Sequence, residues 1–521
     1  MARKVDKNLK EIESQLDVDS NFASTVSDVD AEINTARTTK EDLKVNENQE
    51  DKNAKLTRKQ KRFRKKQQKA RLKILIKARK KEQKDRRKAQ ELTLREIEQK
   101  GKIASWFRID NAGSIYPSAS ARDWNFVYRV SATMKHKINE KELQSALDDV
   151  MPRFPSFNVK LRHGFFWNYF ERNFARLKIE KEKDFPCRPF NLDDSNGFLI
   201  RILYSDYKII LETFHGIADG RGSLFFLNSL IARYIERMGQ EIDEYIGCAN
   251  HLDIPSEEEV EDSFYVHANK EKSKRPKERA AYKIKGNNLP IGMVNSIEGH
   301  MSVKNVKEVA KKYGATISIF LAAVVGYEIH KNRKSTKKPT RISVPVDLRP
   351  RYNSKTLRNF ASYINVEICE ENPTFEQVLE IFKKELQNID MNILQSNINA
   401  NVNVSKNFFV KIMPLFIKNV VLKACFNYMG ENYQTLSISN LGQVKVSNEF
   451  ENYVENYCFN LGRSKYNTKS IGVISYGDTL NMCISSNLSE SQTERDIFKK
   501  LAELGVNIKL HSNRRDLYGS R

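Results

Sequence analysis

Residues 211–231 read LETFHGIADGRGSLFFLNSLI. The run passes from an apolar, β-branched segment to a single histidine, His215, then to an acid four residues on, Asp219, and a cluster of glycines at 216, 220 and 222. It closes on Leu224, Leu227, Leu230 and Ile231, whose spacing is helical and predicts a helix over 223–238. In a strand from Lys208 to His215 the side chains alternate faces, so Ile209, Leu211, Thr213 and His215 share one face. The imidazole therefore ends an apolar row, the placement a general base needs. Asp219 has two open readings: it contacts the ring, or it turns away and holds the 216–218 turn through an arginine. Gly216, Gly220 and Gly222 allow backbone to approach a ligand or to adopt positive φ. Free N–H groups at the start of the following helix face the same turn.

Working outward, residues 198–204 and 207–214 are two apolar runs joined at Ser205-Asp206, the pattern of an antiparallel hairpin. Asn139 with Glu142 has the side chains of a capping box, and Leu143, Ala146, Leu147 and Val150 recur behind it at helical spacing. A charged stretch over 256–288 interrupts the pattern and predicts a surface crossover between two lobes. Beyond it helices over 303–313, 316–330 and 375–389, and much of 394–429, mix with strands over 341–344, 362–370, 470–476 and 479–485. Short strands at 436–438 and 444–446 are expected on either side of a turn at Ser439-Asn-Leu-Gly442. Strands and helices alternate without a regular βαβ repeat, which predicts an α/β (α+β) fold of two layered lobes with mixed sheets.

The chain of 521 residues carries a net charge of +23, and the charge is uneven. Residues 1–54 are acidic and polar and are expected to be disordered. Residues 55–102 form a basic, possible-helix extension without an apolar face, a candidate for nucleic-acid or anionic-membrane contact. Net charge is −5 over 1–50, +16 over 51–100 and +12 over the remainder, so the globular part is only mildly basic. The expected divisions are 1–54, 55–102, a first lobe over 103–288 and a second over 289–521. No run of about 18 apolar residues occurs and the N-terminus lacks a signal-like apolar core, so a cytoplasmic protein, at most peripheral to a membrane, is expected. Six scattered cysteines show no zinc-like spacing, and no metal is expected.

His215-Gly-Ile-Ala-Asp219-Gly220 resembles the HxxxDG motif of the chloramphenicol acetyltransferase-like superfamily of CoA-dependent acyltransferases, which includes condensation domains and alcohol acetyltransferases. Other stretches stand in matching order: Leu143-Gln-Ser-Ala-Leu147 with Arg153-Phe-Pro155, Val344-Pro-Val-Asp-Leu-Arg349-Pro350 with Asn359-Phe360 downstream, Ser439-Asn-Leu-Gly442, Trp106 with Asp110-Asn-Ala112, and Gly164-Phe-Phe-Trp167. The resemblance spans about 104–510 and leaves out the basic extension. It implies two similar lobes around a central tunnel, with His215 deprotonating a hydroxyl or amine that attacks an acyl thioester directly. It implies a structural Asp219 paired with Arg349, support from Gly220 and Gly222, and Ser439 or Asn440 as oxyanion or substrate contacts. It also implies acyl-CoA, acetyl-CoA in the simplest case, as co-substrate with no permanently bound cofactor, and a small-molecule or lipid-like alcohol or amine as acceptor.

Phe214 stands where many condensation domains and chloramphenicol acetyltransferases carry a second histidine, and no Asp-Phe-Gly-Trp-Gly motif of the plant acyltransferases is present. Both departures favour the bacterial alcohol acetyltransferase-like branch. The alternatives are a condensation-type enzyme taking carrier-bound acyl groups, and a non-catalytic binding protein of the same fold.

Overall fold

The computed structural model describes residues 106–513, apart from 121–125, 191–194, 272, 274–277, 334–336, 427–430 and 465–466. The expected disordered segment 1–54 and basic extension 55–102 lie outside the described residues.

A five-stranded mixed sheet runs in the order β12 (Val454–Leu461), β2 (Val127–Met134), β7 (Lys208–Phe214), β6 (Ile200–Tyr204), β5 (Glu180–Lys181). Helices α2 (Glu140–Val150) and α3 (Gly220–Arg237) cover it, burying Leu143, Leu147, Phe226 and Leu230 against Leu211 and Ile202. The predicted hairpin is β6–β7, with Ile202 opposite Leu211. Asn139 caps α2 by accepting from the N–H groups of Lys141 and Glu142.

The second core is built on a seven-stranded mixed sheet: β10 (Ala361–Ile368), β9 (Thr340–Asp347), β11 (Leu436–Gln443), β13 (Lys469–Tyr476), β14 (Thr479–Ser486), β8 (Asn295–Ser302), β15 (Ile508–Ser512). Helices α6 (Val303–Lys312), α7 (Ile317–Lys331), α9 (Phe375–Leu386) and α14 (Gln492–Glu503) pack on it through Val306, Phe320, Val324, Phe382 and Leu501. Helix α7 is apolar on nearly every side, as a helix enclosed in a core must be. Among the described residues no single helix is long and apolar enough to cross a membrane. A small third sheet orders β1 (Trp106–Arg108), β4 (Asn168–Arg172), β3 (Val159–His163).

Four features differ from the sequence reading. Strand β12 lies in the second half of the chain yet completes the five-stranded sheet, pairing antiparallel with β2, so sheet membership does not divide at 288/289. Residues 439–442 are not a turn between two strands. They continue β11, parallel to β13, and the register shifts between Asn440 and Gln443 as a bulge with Gly442 at φ 71°, while 444–446 form no strand. The crossover contains two short helices, α4 (Glu257–Val260) and α5 (Ser263–His267), and is tied down by the Arg153–Glu259 ion pair at 2.7 Å. Helix α3 begins at Gly220 rather than near Ser223, because Asp219 is its N-cap.

One charge sits wholly inside the first core. Glu212 on β7 is fully buried and accepts from Arg129 Nε at 2.9 Å, Arg201 Nη2 at 2.6 Å and the Cys187 N–H at 2.6 Å. Burial pushes its carboxyl up, but the two guanidiniums win and hold it below the usual carboxylate range. Burial also pushes the Cys187 thiol up, so Cys187 is a packed thiol and not an activated nucleophile.

Candidate active site

The strand β7 ends at Phe214 and delivers His215 to the first residue beyond it, half-buried, with its N–H donating to Phe126 O at 2.9 Å. Helix α1 (Ile115–Ala119) stacks Tyr116 on the imidazole, with centroids 4.7 Å apart and planes at 22°. Tyr128 of β2 meets the ring edge-on at 5.1 Å. The Tyr128 hydroxyl lies 2.9 Å from Ala218 O and 2.8 Å from Ser223 Oγ, which pins the 216–218 turn to the sheet below it. Burial raises both phenols above their ordinary value, so both remain protonated.

Asn359, which follows the short helix α8 (Arg349–Tyr352), fixes the imidazole. Its Nδ2 lies 3.1 Å from Asp110 Oδ2 and 3.0 Å from the His215 carbonyl oxygen, two acceptors. The amide nitrogen must therefore be the atom between them, and the opposite atom, Oδ1, faces His215 Nδ1 at 3.0 Å. In the neutral ring Nδ1 then carries the proton and Nε2 keeps its lone pair. Asp110 anchors this amide from a buried turn: its Oδ1 accepts the Gly113 N–H at 2.5 Å, and Arg358 Nε lies 3.6 Å from Oδ2. Burial raises the Asp110 carboxyl, and Arg358 is the largest opposing influence. Asp262 of the crossover accepts the Asn111 N–H at 2.7 Å, and burial together with the Asp110 charge pushes it up to about 6.

Asp219 faces away from the ring. Its Oδ1 accepts from Gly222 N at 3.1 Å, its Oδ2 from Phe360 N at 3.0 Å, and Arg349 Nη2 donates to both oxygens at 2.9 Å. Arg349 is held in turn by Asp347 Oδ1 at 3.0 Å, Thr356 O at 2.7 Å and Arg358 O at 2.6 Å. Of the two readings open in the sequence, the geometry is that of a carboxylate bracing the turn: it caps α3 and joins it to the segment carrying Asn359.

The glycines serve close packing of the protein on itself. None of Gly216, Gly220 and Gly222 has positive φ. A Cβ on Gly222 would stand 1.9 Å from Leu357 O, and one on Gly220 2.7 Å from Leu441 Cδ2. Their absence of side chains is what lets β11 and the 357–360 segment press against the N-terminus of α3.

The Ser439–Gly442 bulge thus touches α3 through Leu441 on Gly220, and Arg221 forms an ion pair with Asp347 at 3.6 Å. The amide of Asn440 is engaged: its Nδ2 donates to Ser318 Oγ at 2.9 Å and its Oδ1 accepts the Gly442 N–H at 2.7 Å. Ser439 is half-buried in β11 opposite Gly472. Sequence reasoning quoted Asn359 and Asp110 only as parts of matching stretches and did not single out Tyr116, Tyr128 or Arg358. Their approach to His215 depends on long-range pairing that spacing does not display.

Among the described residues one group has donor atoms at metal-like spacing, Glu298, Cys458 and Cys483, all within 4.8 Å of one another. They come from β8, β12 and β14, which is why no local motif announces them.

No protein-family model matches the chain, and no curated protein matches it in sequence. Solved structures do match. The condensation domain of the monacolin K polyketide synthase MokA is 12% identical, with a TM-score of 0.50 over 77% of this chain and 96% of that one. TRI101 of F. graminearum, complexed with coenzyme A and deoxynivalenol, is 14% identical, with a TM-score of 0.50 over 78% of this chain and all (100%) of that one. The chain therefore has the two-lobed α/β fold that the MokA condensation domain and TRI101 share.

Proposed function

We propose that the protein is an acyltransferase that moves an acyl group from a coenzyme A thioester to a hydroxyl, in the manner of an alcohol O-acetyltransferase, with His215 as general base. The observation that carries this reading is the Asn359–His215 hydrogen bond at 3.0 Å, which holds the proton on Nδ1 and leaves Nε2 as the basic nitrogen. Nε2 takes the proton of the acceptor hydroxyl as its oxygen attacks the thioester carbonyl. The tetrahedral oxyanion collapses, the C–S bond breaks, and the imidazolium returns the proton to the departing thiolate. Carbon–oxygen bond formation is thus balanced by release of free thiol.

Asp219 takes no part in this proton path, since its oxygens are occupied by Arg349 and two backbone N–H groups. For the oxyanion, Ser439 is a better candidate than Asn440, whose amide nitrogen is committed to Ser318. A coenzyme A donor is favoured by the fold it shares with TRI101, which was crystallised with coenzyme A. The test is thiol release from acetyl-CoA across a panel of alcohols and amines. His215→Ala is expected to lower kcat/KM by about 10²–10⁴, and undiminished release in this variant would refute the assignment.

A further inference from the structure

Helix α10 (Met391–Lys406), helix α11 (Phe408–Ile412) and helix α12 (Leu415–Cys425) follow one another in the chain, separated by one or two residues. Helix α12 is packed inside out. Two of its polar residues face the protein: Lys418 is buried, donating to Phe166 O at 2.8 Å and lying 3.3 Å over the Trp167 ring, and Asn419 Oδ1 accepts the Ser118 hydroxyl at 2.6 Å. Leu415 is buried, but Phe416, Ile417, Val420 and Val421 face outward. Phe416 and Val420, one helical turn apart, are each 70% exposed, and Phe408 and Phe409 of α11 are 66% and 73% exposed. Phe165 joins the same patch, 71% exposed, because its carbonyl accepts the Leu415 N–H at the start of α12. A helix with its apolar face in water and its polar face inward is stable against an apolar medium.

The charge around the patch says which medium. From residue 391 to 426 the chain has four lysines, Lys406, Lys411, Lys418 and Lys423, and no Asp or Glu. Three of them, Lys406, Lys411 and Lys423, are exposed on the same run of helices as the phenylalanines. Exposed aromatic and aliphatic side chains interspersed with lysines, on helices of 5 and 11 residues that are too short to span a bilayer, match an element that lies in a membrane interface with its cations at the headgroups.

We infer that α11 and α12, with Phe165, form an interfacial docking surface for a membrane containing anionic lipids. The docked surface adjoins the candidate active site, because α12 packs on α1, the helix that stacks Tyr116 on His215. This inference concerns the surface alone and stands whether or not the proposed reaction is the one catalysed.

The experiment uses the full chain with a reporter, Phe409→Trp, and vesicles of phosphatidylcholine with phosphatidylglycerol, some carrying bromine on their acyl chains. Insertion predicts quenching of the introduced indole by brominated chains, relative to the parent protein. In a second full-chain variant, Phe416→Ser with Val420→Ser, vesicle binding falls at least about tenfold, with the circular dichroism spectrum of the parent retained. Binding to vesicles without quenching, which is what purely electrostatic adsorption through lysines elsewhere on the chain gives, overturns the proposal. So does a soluble dimer that the same double substitution dissociates while vesicle binding is unchanged, since the patch would then be a protein interface.

Discussion

Replacing Asp219 by Asn separates two roles that a sequence motif cannot. The carboxylate accepts two charge-assisted contacts from Arg349 Nη2 at 2.9 Å and the N–H groups of Gly222 and Phe360. In the amide one oxygen is replaced by a donor that faces another donor, and the buried guanidinium keeps Asp347 but loses the one of its two carboxylate partners that takes Nη2. Breaking a buried pair from one side costs about 3–5 kcal/mol. With an unfolding entropy of about 2 cal/mol/K per residue over about 400 folded residues, that is a fall in Tm of roughly 4–6 °C. Differential scanning calorimetry measures it, and Arg349→Gln with the double variant supplies a cycle in which the coupling is lost once either partner is absent. Since Asp219 makes no contact with the ring, kcat/KM for thiol release is expected to fall by less than about tenfold beyond the loss of folded protein, against about 10⁴ when a histidine loses the carboxylate that sets its tautomer. An Asp219→Asn protein with unchanged Tm and a 10⁴-fold loss of activity would refute the bracing role.

Asn359→Ala removes the bond that keeps the proton on His215 Nδ1; a net worth of about 0.5–1.5 kcal/mol predicts a two- to thirteen-fold loss of kcat/KM, read together with the loss of the Nδ1–H signature in ¹⁵N-histidine spectra. Gly222→Ala places a methyl 1.9 Å from Leu357 O, so the 357–360 backbone must move; destabilisation of about 1–3 kcal/mol is expected in urea titration, with activity reduced through displaced Asn359. Burial and the nearby Arg108 lower the Lys418 ammonium to about 8. The unfolded chain therefore binds the extra proton between about pH 8 and the ordinary lysine value, and stability rises with pH across that window; in Lys418→Met this rise is absent from denaturation midpoints measured at pH 7.5 and 10.

What was legible in the sequence follows from how local each signal is. The hairpin β6–β7, the cap at Asn139 and helix α3 are written in periodicity and in one or two cap residues, so they read directly. His215 read as a site residue because a strand, an acid and three glycines stand within eight positions. The Ser439–Gly442 segment misled, because Asn and Gly are turn formers, and a bulge inside a central strand uses the same residues. The clasp on His215 was unreadable for another reason. Asp110, Asn359 and His215 are brought together by the meeting of two cores, and no local pattern marks Asn359 as the residue that will face a ring 144 positions earlier. The inverted helix α12 gave a fair helical signal but no hint of which face points inward, since periodicity fixes the faces of a helix and not its orientation.

The edge position of β12 has a consequence for how the molecule is made. Strand β2 ends at Met134 and its neighbour on one side does not exist until Leu461 has been synthesised. At about 5–20 residues per second, the apolar edge of the first sheet waits between roughly 15 and 65 s on the ribosome before it is covered. During that interval it is an open template for pairing with other nascent chains. Cells that produce this protein must therefore shield an unfinished sheet, and a fragment stopped short of residue 454 is expected to be captured by chaperones or to aggregate, however well its own helices are formed.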